Sequence, residues 1–282
     1  MNELATSSPQ QPLNWRRALV EHWPEYFMEA AGLGLFMMSA CSFALLLSHP
    51  QSPVQEWIGN PVLRRILMGM AMGGTAMSIV YSPWGQRSGA HLNPSLTLTF
   101  YRLGKVAPWD AAFYAVFQLL GGLTGVLMMS LIARQSLADP AINYVVTVPG
   151  PAGFSAAWVA EFSMSFVQMF VVLCVSNSRA ARWTGVVAGV LVAFNICLFG
   201  SLSGMSMNPA RTLASAIPAQ VWHGVWIYLS APPFAMLLAA EFYRWLRGGN
   251  KVFCAKLHHQ NRHRCILCAY HAGHAATERI PA

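Results

Sequence analysis

Two short polar stretches carry the residue types that could do chemistry in this chain, and they share one pattern. Residues 88–95 and 203–210 each read Ser-Gly, three residues, Asn-Pro and a small residue. Asn is a preferred N-cap and Pro suits the first helical position, so each Asn-Pro pair predicts a helix start. One such pair usually means only a capped helix. Two pairs in matching contexts indicate a duplicated site, because interrupted segments at corresponding positions of two repeats are typical of transport proteins.

The segments around these motifs are strongly apolar. Of 282 residues, 55% are hydrophobic and only 10% are charged, whereas soluble domains carry about 25% charged residues. The composition therefore predicts an integral membrane protein. The net charge of +8 is concentrated at the ends of apolar runs and in the C-terminal tail, which is typical of loops at an anionic leaflet and does not indicate nucleic-acid binding.

Six apolar runs are long enough to span about 30 Å of hydrocarbon: 26–48, 62–81, 111–133, 156–175, 184–202 and 225–246. Their order is two spans, one motif and one span, twice over. Because three spans is an odd number, the second repeat must be inverted relative to the first. The short helices after the motifs, 93–102 and 208–217, would each be about 15 Å long and would meet near the midplane. The predicted fold is an all-α membrane protein with six transmembrane helices and two re-entrant half-helices.

This order divides the chain into five parts, and charge sets their orientation. They are a cytoplasmic N-terminal segment at 1–22, a first repeat at 23–134, an extracytoplasmic loop at 135–153, a second repeat at 154–247 and a cytoplasmic tail at 248–282. Most Arg and Lys residues fall on the side of the two termini. The positive-inside rule then predicts a multi-pass protein of the plasma (inner) membrane with both termini cytoplasmic. Arg64 and Arg65 are exceptions that could snorkel at the outer interface.

The predicted meeting of the motifs favours an uncharged ligand. Each half-helix N-terminus carries about half a positive charge, so two of them facing one point oppose cations and hydronium. Each Asn amide can accept a backbone N–H through its oxygen and offer its NH₂ donors to a lumen. Such a site binds the oxygen of a neutral molecule.

Five further polar residues lie in apolar surroundings. Arg211 follows the second motif and would line the outer mouth of a pore, or else snorkel at the interface. Glu29 and Glu161 lie at equivalent places in the first span of each repeat, where they would accept hydrogen bonds from loop N–H groups; a proton relay is the alternative. His91 would either touch the lumen or hold its loop, and Gln118 would serve packing or loop support.

These residues resemble those of the aquaporin and aquaglyceroporin family, the major intrinsic proteins. The likeness covers about residues 22–247 and includes the six spans, both motifs, the Ala-Arg pair after the second Asn-Pro and one Glu per repeat. It implies a homotetramer in the lipid bilayer with one pore per subunit, which passes water or small neutral solutes and excludes protons, without a cofactor or nucleic acid. By position, the resemblance places the central constriction at Asn93, Pro94, Ser95, Asn208, Pro209 and Ala210. Ser95 stands where Ala is usual, and its small size is compatible with that place.

The resemblance also assigns an outer filter. Its members are Met72, Ile196, Met205 and Arg211, with Gly73 as the alternative to Met72. A strict water channel of this family has His at the position of Ile196 and an aromatic residue on the second span, and this chain has neither. Thr212 stands where glycerol channels carry Asp. The mainly apolar filter predicts a passive channel for water and/or small uncharged solutes, such as glycerol-like polyols, urea and metalloid acids. A strict water channel is the alternative.

Enzymatic and ion-conducting functions fit the sequence poorly. Residues 200–204, Gly-Ser-Leu-Ser-Gly, faintly resemble the Ser motif of intramembrane serine proteases, which makes an intramembrane hydrolase a distant alternative. The sixth span lacks a partner His, however, and His223 precedes it. An ion channel or proton-coupled transporter would need charged pairs along its path, and the spans lack them apart from Glu29 and Glu161. The chain is therefore predicted not to be an enzyme.

The tail is rich in Cys and His. Cys265 and Cys268 have the spacing of a zinc-ligand pair, and Cys254 and His271 are further candidate ligands. A second Cys-x-x-Cys pair is lacking. The prediction is therefore a disordered basic tail or incidental His residues without a metal, with metal binding as the alternative.

Overall fold

The protein is described by a computed structural model that covers residues 14–247 and 252–267, and within these residues it contains helices and no β-strand. The α-helices in chain order are α1 (Trp15–Ser48), α2 (Pro53–Trp57), α3 (Pro61–Tyr81), α4 (Pro83–Ser88), α5 (Pro94–Arg102), α6 (Pro108–Ala133), α7 (Gln135–Ala138), α8 (Gly153–Ser176), α9 (Thr184–Ser203), α10 (Pro209–Ala219) and α11 (Val225–Arg247). Two 3₁₀ turns lie at Asn143–Val145 and Ala181–Trp183. The prediction of an all-α fold is confirmed.

Five of the described helices are long and apolar enough to cross a membrane. They are α1, α6, α8, α11 and α9 together with the 3₁₀ turn before it. The predicted second span corresponds to α3, which has 21 residues and is about 31 Å long at the usual helical rise. It is not among the five, because Arg64 and Arg65 near its start lower its mean hydropathy. The count of six spans therefore stays a prediction.

The long helices pack in pairs that repeat across the molecule. α1 packs along α6, α8 along α11, and α3 along α9. Glycines allow the backbones to approach closely. A Cβ atom at Gly121 would lie 2.0 Å from the Ala30 carbonyl oxygen, and one at Gly73 would lie 2.5 Å from the Gly189 carbonyl oxygen. Gly74 differs, because a Cβ there would meet nothing within 4 Å.

The helix α1 begins at Trp15, well before the predicted start of the span at residue 26. Side chains around residues 22–26 of α1 contact the beginning of α6. Tyr26 donates to Asp110 at the beginning of α6, and His22 lies 2.8 Å from the same carboxylate. We call the end of the bundle where α1 begins and α11 ends the tail face.

Residues 252–267 lie against the tail face. The Leu257 N–H donates to the Gly89 carbonyl at 3.2 Å, the Phe253 N–H donates to Asn177 Oδ1 at 2.8 Å, and the Arg264 guanidinium donates to the Glu21 carbonyl at 3.3 Å. Ala255 is completely buried. This part of the tail therefore has a defined place on the bundle, where the sequence favoured a disordered basic segment.

Candidate functional site

The two Asn-Pro motifs meet at the centre of the bundle. Asn93 caps α5 by accepting from the Ser95 N–H at 2.9 Å, and Asn208 caps α10 by accepting from the N–H groups of Ala210 and Arg211 at 3.0 and 3.2 Å. Pro94 and Pro209 are the first residues of these helices. Both short helices therefore direct their positive ends at one region.

The amides of the two Asn residues also bind each other's loops. Asn93 Nδ2 donates to the Met207 carbonyl, and Asn208 Nδ2 donates to the Leu92 carbonyl, each at 2.7 Å. The sequence predicted that these NH₂ groups face a lumen. One proton of each is instead used between the loops, which leaves one per Asn for a ligand, since an amide nitrogen carries two donors.

One buried carboxylate holds each loop. Glu29 accepts from the backbone N–H groups of His91 and Leu92 at 3.0 and 2.6 Å, and from the Ser88 hydroxyl at 2.7 Å. It also accepts from Gln118 Nε2 at 2.8 Å. Of the two roles considered for Gln118, packing and loop support, this contact favours loop support. These bonds satisfy backbone donors that no helix satisfies at this depth.

Glu161 repeats this arrangement in the second half. It accepts from the N–H groups of Ser206 and Met207 at 2.8 and 2.6 Å, and from the Ser203 hydroxyl at 2.7 Å. Both carboxylates are fully buried and their oxygens are occupied by loop donors. This geometry favours the loop-support reading over a proton relay.

The loops share an unusual backbone conformation. Ala90, Leu92, Met205 and Met207 all have φ between 50° and 55°, a left-handed region that costs side-chain-bearing residues roughly 1–3 kcal/mol each. In each loop the carboxylate accepts from the N–H of the residue between the two left-handed positions and from the N–H of the second left-handed residue. The carboxylates therefore hold a strained turn that presents backbone carbonyls toward the centre.

Two tyrosines that sequence reasoning missed support the same loops. Tyr114 donates to the Ser88 carbonyl and Tyr228 donates to the Ser203 carbonyl, both at 2.6 Å. They lie on α6 and α11, the last long helix of each repeat. Their matching places, each roughly twenty positions after an Asn-Pro motif, were the signal that could have found them.

One cavity joins these elements. Its volume is about 220 Å³, and it is lined by both central Asn side chains, by Arg211 and by mostly apolar residues, among them Leu33, Met68, Ala76, Val80, Val192 and Leu257. Met72, Ile196 and Met205 also line it. Gly73 is not a lining residue and packs against Gly189, so the structure favours Met72 over Gly73 as the cavity-facing residue of α3.

Comparison with known proteins identifies the relatives of this fold. The model of the family described as major intrinsic protein matches residues 16–243, which is most of the chain. This chain belongs to the major intrinsic protein family. The resemblance seen in the sequence is thereby confirmed. The family consists of channels rather than enzymes, which confirms the prediction that the chain is not an enzyme.

Individual members of the major intrinsic protein family match over different lengths. Aquaporin NIP6-1 from Arabidopsis thaliana is 36% identical over 176 residues, covering 61% of this chain but only 55% of that protein. Aquaporin NIP2-1 from Zea mays is 29% identical over 253 residues, covering 86% of this chain and 79% of that protein. The X-ray structure of the aquaglyceroporin from Plasmodium falciparum aligns with a TM-score of 0.63 at 20% identity, over 79% of this chain and 96% of that one.

Arg211 gives the cavity a charged lining residue. It is the only Arg, Lys, Asp or Glu among the described lining residues. Its Nη1 is buried and has no hydrogen-bond partner within residues 14–247 and 252–267. A buried guanidinium donor without a partner is costly, and a solute oxygen would relieve that cost.

His91 has both of the contacts considered from the sequence, one with the cavity and one with its own loop. It lines the cavity, and its ring also holds local structure: Nδ1 lies 3.0 Å from Thr97 Oγ1 and Nε2 lies 2.9 Å from the Ala255 carbonyl. The second contact joins the first motif to the tail.

The serines of residues 200–204 make no contact with His223 in the described structure. Ser201 accepts from Arg65 at 3.2 Å, and Ser203 donates to Glu161. The His223 ring instead packs against Phe154 with 4.8 Å between ring centroids. An intramembrane hydrolase, the distant alternative, would need a serine paired with a histidine, and these residues do not form that pair in the described structure.

Three of the tail's Cys and His residues lie together. The ligand atoms of Cys254, His259 and Cys265 all lie within 4.8 Å of one another. The other two candidate ligands, Cys268 and His271, fall outside the described residues. Burial lowers the pKa of the neighbouring His258 imidazole below its usual value.

Proposed function

We propose that the chain is a passive transmembrane channel for water and small uncharged solutes that excludes protons and ions. One observation carries this proposal: the side chains of Asn93 and Asn208, Arg211 and a mainly apolar wall line the same cavity. Polar groups that point into an otherwise apolar passage replace part of a solute's hydration shell. The names of the relatives, aquaporins from plants, support the same reading.

The exclusion of ions follows from charge. Both short helices point their N-termini at the centre, each with about half a positive charge, and Arg211 adds a full positive charge at one end. A cation meets these three charges in a low-dielectric passage, where repulsion is far stronger than in water. An anion meets a mainly apolar wall that cannot replace its hydration.

The filter residues favour solutes larger than water. Met72, Ile196 and Met205 present apolar side chains to the cavity close to the second motif, and Arg211 supplies the donor. This combination suits molecules with a carbon or metalloid centre and hydroxyl or amide oxygens, such as glycerol-like polyols, urea and metalloid acids. An apolar filter offers water few hydrogen-bond partners, so it does not favour the alternative, a strict water channel.

The architecture implied by the family completes the proposal. α3 would serve as the second of six spans, α5 and α10 as re-entrant half-helices, and the channel would lie in the plasma (inner) membrane as a homotetramer with cytoplasmic termini. Its constriction would comprise the residues Asn93, Pro94, Ser95, Asn208, Pro209 and Ala210. Cross-linking in native membranes would give the subunit number.

Stopped-flow light scattering of proteoliposomes tests the function. We expect the protein to raise the permeability to glycerol, urea or boric acid at least tenfold over empty liposomes, with a smaller rise for water. Ile196→His should lower solute permeability at least fivefold and leave water permeability within twofold, because His narrows the filter and adds a polar group. Ile196→Leu is the matched control, since it keeps volume and polarity.

Three results would contradict parts of this proposal. Fast water flux without any solute flux would favour the strict water channel. An ionic current in planar bilayers would contradict the uncharged-solute reading. Equal solute fluxes through the His and Leu variants would remove Ile196 from the filter.

A further inference from the structure

The tail lies across one end of the cavity. The Leu257 side chain lines the cavity together with Val80 and Gly185, which are at the tail-face ends of α3 and α9. The Leu257 N–H donates to the Gly89 carbonyl, and the Ala255 carbonyl oxygen lies 2.9 Å from His91 Nε2. Leu257 is only 7% exposed. An apolar side chain of the tail therefore occupies the tail-face mouth.

This segment has no helix or strand of its own, so something else must fix its path. The cysteines that flank Leu257 come together: Cys254 Sγ lies 3.6 Å from Cys265 Sγ. A disulfide would require about 2.05 Å. Two thiolates bound to one tetrahedral zinc at about 2.3 Å lie roughly 3.8 Å apart, which is close to the separation found here.

The surroundings suit a thiolate–imidazole metal site. The Lys256 N–H points at Cys254 Sγ at 3.4 Å, a donor that stabilises a thiolate. The Lys256 ammonium is itself buried, with Nζ donating to the Arg264 carbonyl at 2.9 Å. A buried ammonium favours nearby negative charge, which two metal-bound thiolates would supply. His259 brings its ring nitrogen within 4.8 Å of both sulfurs.

We propose that Cys254, His259 and Cys265 bind a zinc-class divalent cation, and that this ion holds Leu257 in the tail-face mouth of the pore. Each thiol ligand releases its proton to water as it binds. The ion joins positions 254 and 265 around the Leu257 segment, and loss of the ion releases that segment. The second half of this proposal, closure, rests on the proposed channel function.

Metal analysis of the purified full-length protein tests the site without reference to transport. After exposure to zinc and removal of the excess, we expect about one zinc per chain by plasma mass spectrometry. Cys265→Ser and His259→Ala should each lower this at least fivefold. Cys197→Ser, in α9, is the control and should retain the metal. A metal-free parent, equal zinc in all variants, or a Cys254–Cys265 disulfide in the mass spectrum of protein purified without oxidant would overturn the site.

Solute flux in proteoliposomes tests closure. A strong chelator should raise the flux through the parent protein at least threefold and leave the flux through Cys265→Ser unchanged and already high. Leu257→Ala should conduct like the chelated parent while it retains its zinc, because it shortens the side chain in the mouth and keeps all the ligands.

The two measurements separate the possible failures. Stoichiometric zinc with flux that neither the chelator nor Leu257→Ala alters would overturn closure and leave the metal site. Stoichiometric zinc with no flux in any variant would contradict the channel function itself. Solute flux through a parent protein that takes up no zinc after exposure to zinc would leave the channel function and overturn this inference.

Discussion

Glu161 is a buried carboxylate whose hydrogen bonds all come from one loop. Its three donors are two backbone N–H groups and one hydroxyl, at 2.6 to 2.8 Å. Hydrogen bonds to charged groups contribute about 1.5–3 kcal/mol each. The residue therefore determines whether the strained turn around Met205 and Met207 keeps its conformation.

Replacing Glu161 with Gln should destabilise the protein by about 2–3 kcal/mol. A Gln side chain must turn an NH₂ group toward a backbone N–H, so at least one bond becomes a repulsion between donors. We expect the melting temperature in detergent to fall by about 5–10 °C, measured by loss of the monodisperse peak after heating. Glu56→Gln, at an exposed position of α2, should leave it unchanged. Equal melting temperatures for both variants would show that Glu161 does not hold the loop.

At the level of residues, sequence reasoning reached the caps but not the partners of the Asn amides. Asn-Pro is a local signal, so Asn93 and Asn208 could be assigned as N-caps from their neighbours alone. The acceptor of each NH₂ group is a carbonyl more than a hundred positions away. Nothing local encodes that contact. The sequence therefore predicted that both NH₂ hydrogens of each Asn face a lumen, whereas one of them bonds the opposite loop.

Helix pairing depends on individual glycine positions. On α3, Gly73 lies against the backbone of α9 and the adjacent Gly74 does not, although both belong to the same helix. Composition shows that small residues are present, whereas the rotation of the helix, fixed by its tertiary neighbours, decides which of them faces a partner.

This pair offers a matched test of helix packing. Gly73→Ala should destabilise the protein by about 1–3 kcal/mol, because the new methyl group collides with the Gly189 carbonyl and forces the helices apart. Gly74→Ala should be neutral or stabilising by up to about 1 kcal/mol, because Ala is the better helix former. Thermal unfolding in detergent measures both. A Gly74→Ala variant as unstable as Gly73→Ala would contradict the packing of α3 on α9.

The short elements illustrate what periodicity alone misses. α4, Pro83–Ser88, lies between the predicted second span and the first motif, where no helix was predicted, yet Ser82 caps it and Gly89 ends it in a left-handed conformation. The helix is only six residues long, too short for a hydrophobic period. Its Pro start and Gly end were the available signals.

For the whole molecule, the distribution of charge and tryptophan implies one orientation in the bilayer. Exposed Trp side chains occur at both ends of the bundle, with Trp23 and Trp245 at the tail face and Trp57 and Trp222 at the other. Such rings favour the membrane–water interface. Because Arg and Lys collect at the tail face, this face should lie in the cytoplasm.

Cysteine labelling in intact cells tests this orientation. A membrane-impermeant maleimide should label Gln135→Cys, at the exposed position that begins α7, above the background of the native cysteines. It should label Ala180→Cys, exposed in the turn between α8 and α9, only after the membrane is permeabilised. The reverse pattern would place the termini, and with them the tail, outside the cell.

The tail shows where prediction from sequence stopped for the molecule as a whole. The sequence shows its Cys and His residues, but because a second Cys-x-x-Cys pair is lacking, a disordered segment was predicted. Residues 252–267 take their place through contacts with Gly89, Asn177 and Glu21. Those partners come from three separate helices or loops, so the folded path of the tail depends on the assembled bundle.

The paired amides of Asn93 and Asn208 have a further consequence for the growing chain. Each donates to a carbonyl of the other half, 114 and 116 positions away in the sequence. A nascent chain that has emerged only through the first half lacks the acceptor of the Asn93 amide, and burying that amide unpaired would cost about 1–3 kcal/mol. The centre therefore cannot close before the second motif has been synthesised, and a fragment that ends before Met207 keeps the Asn93 amide without this acceptor.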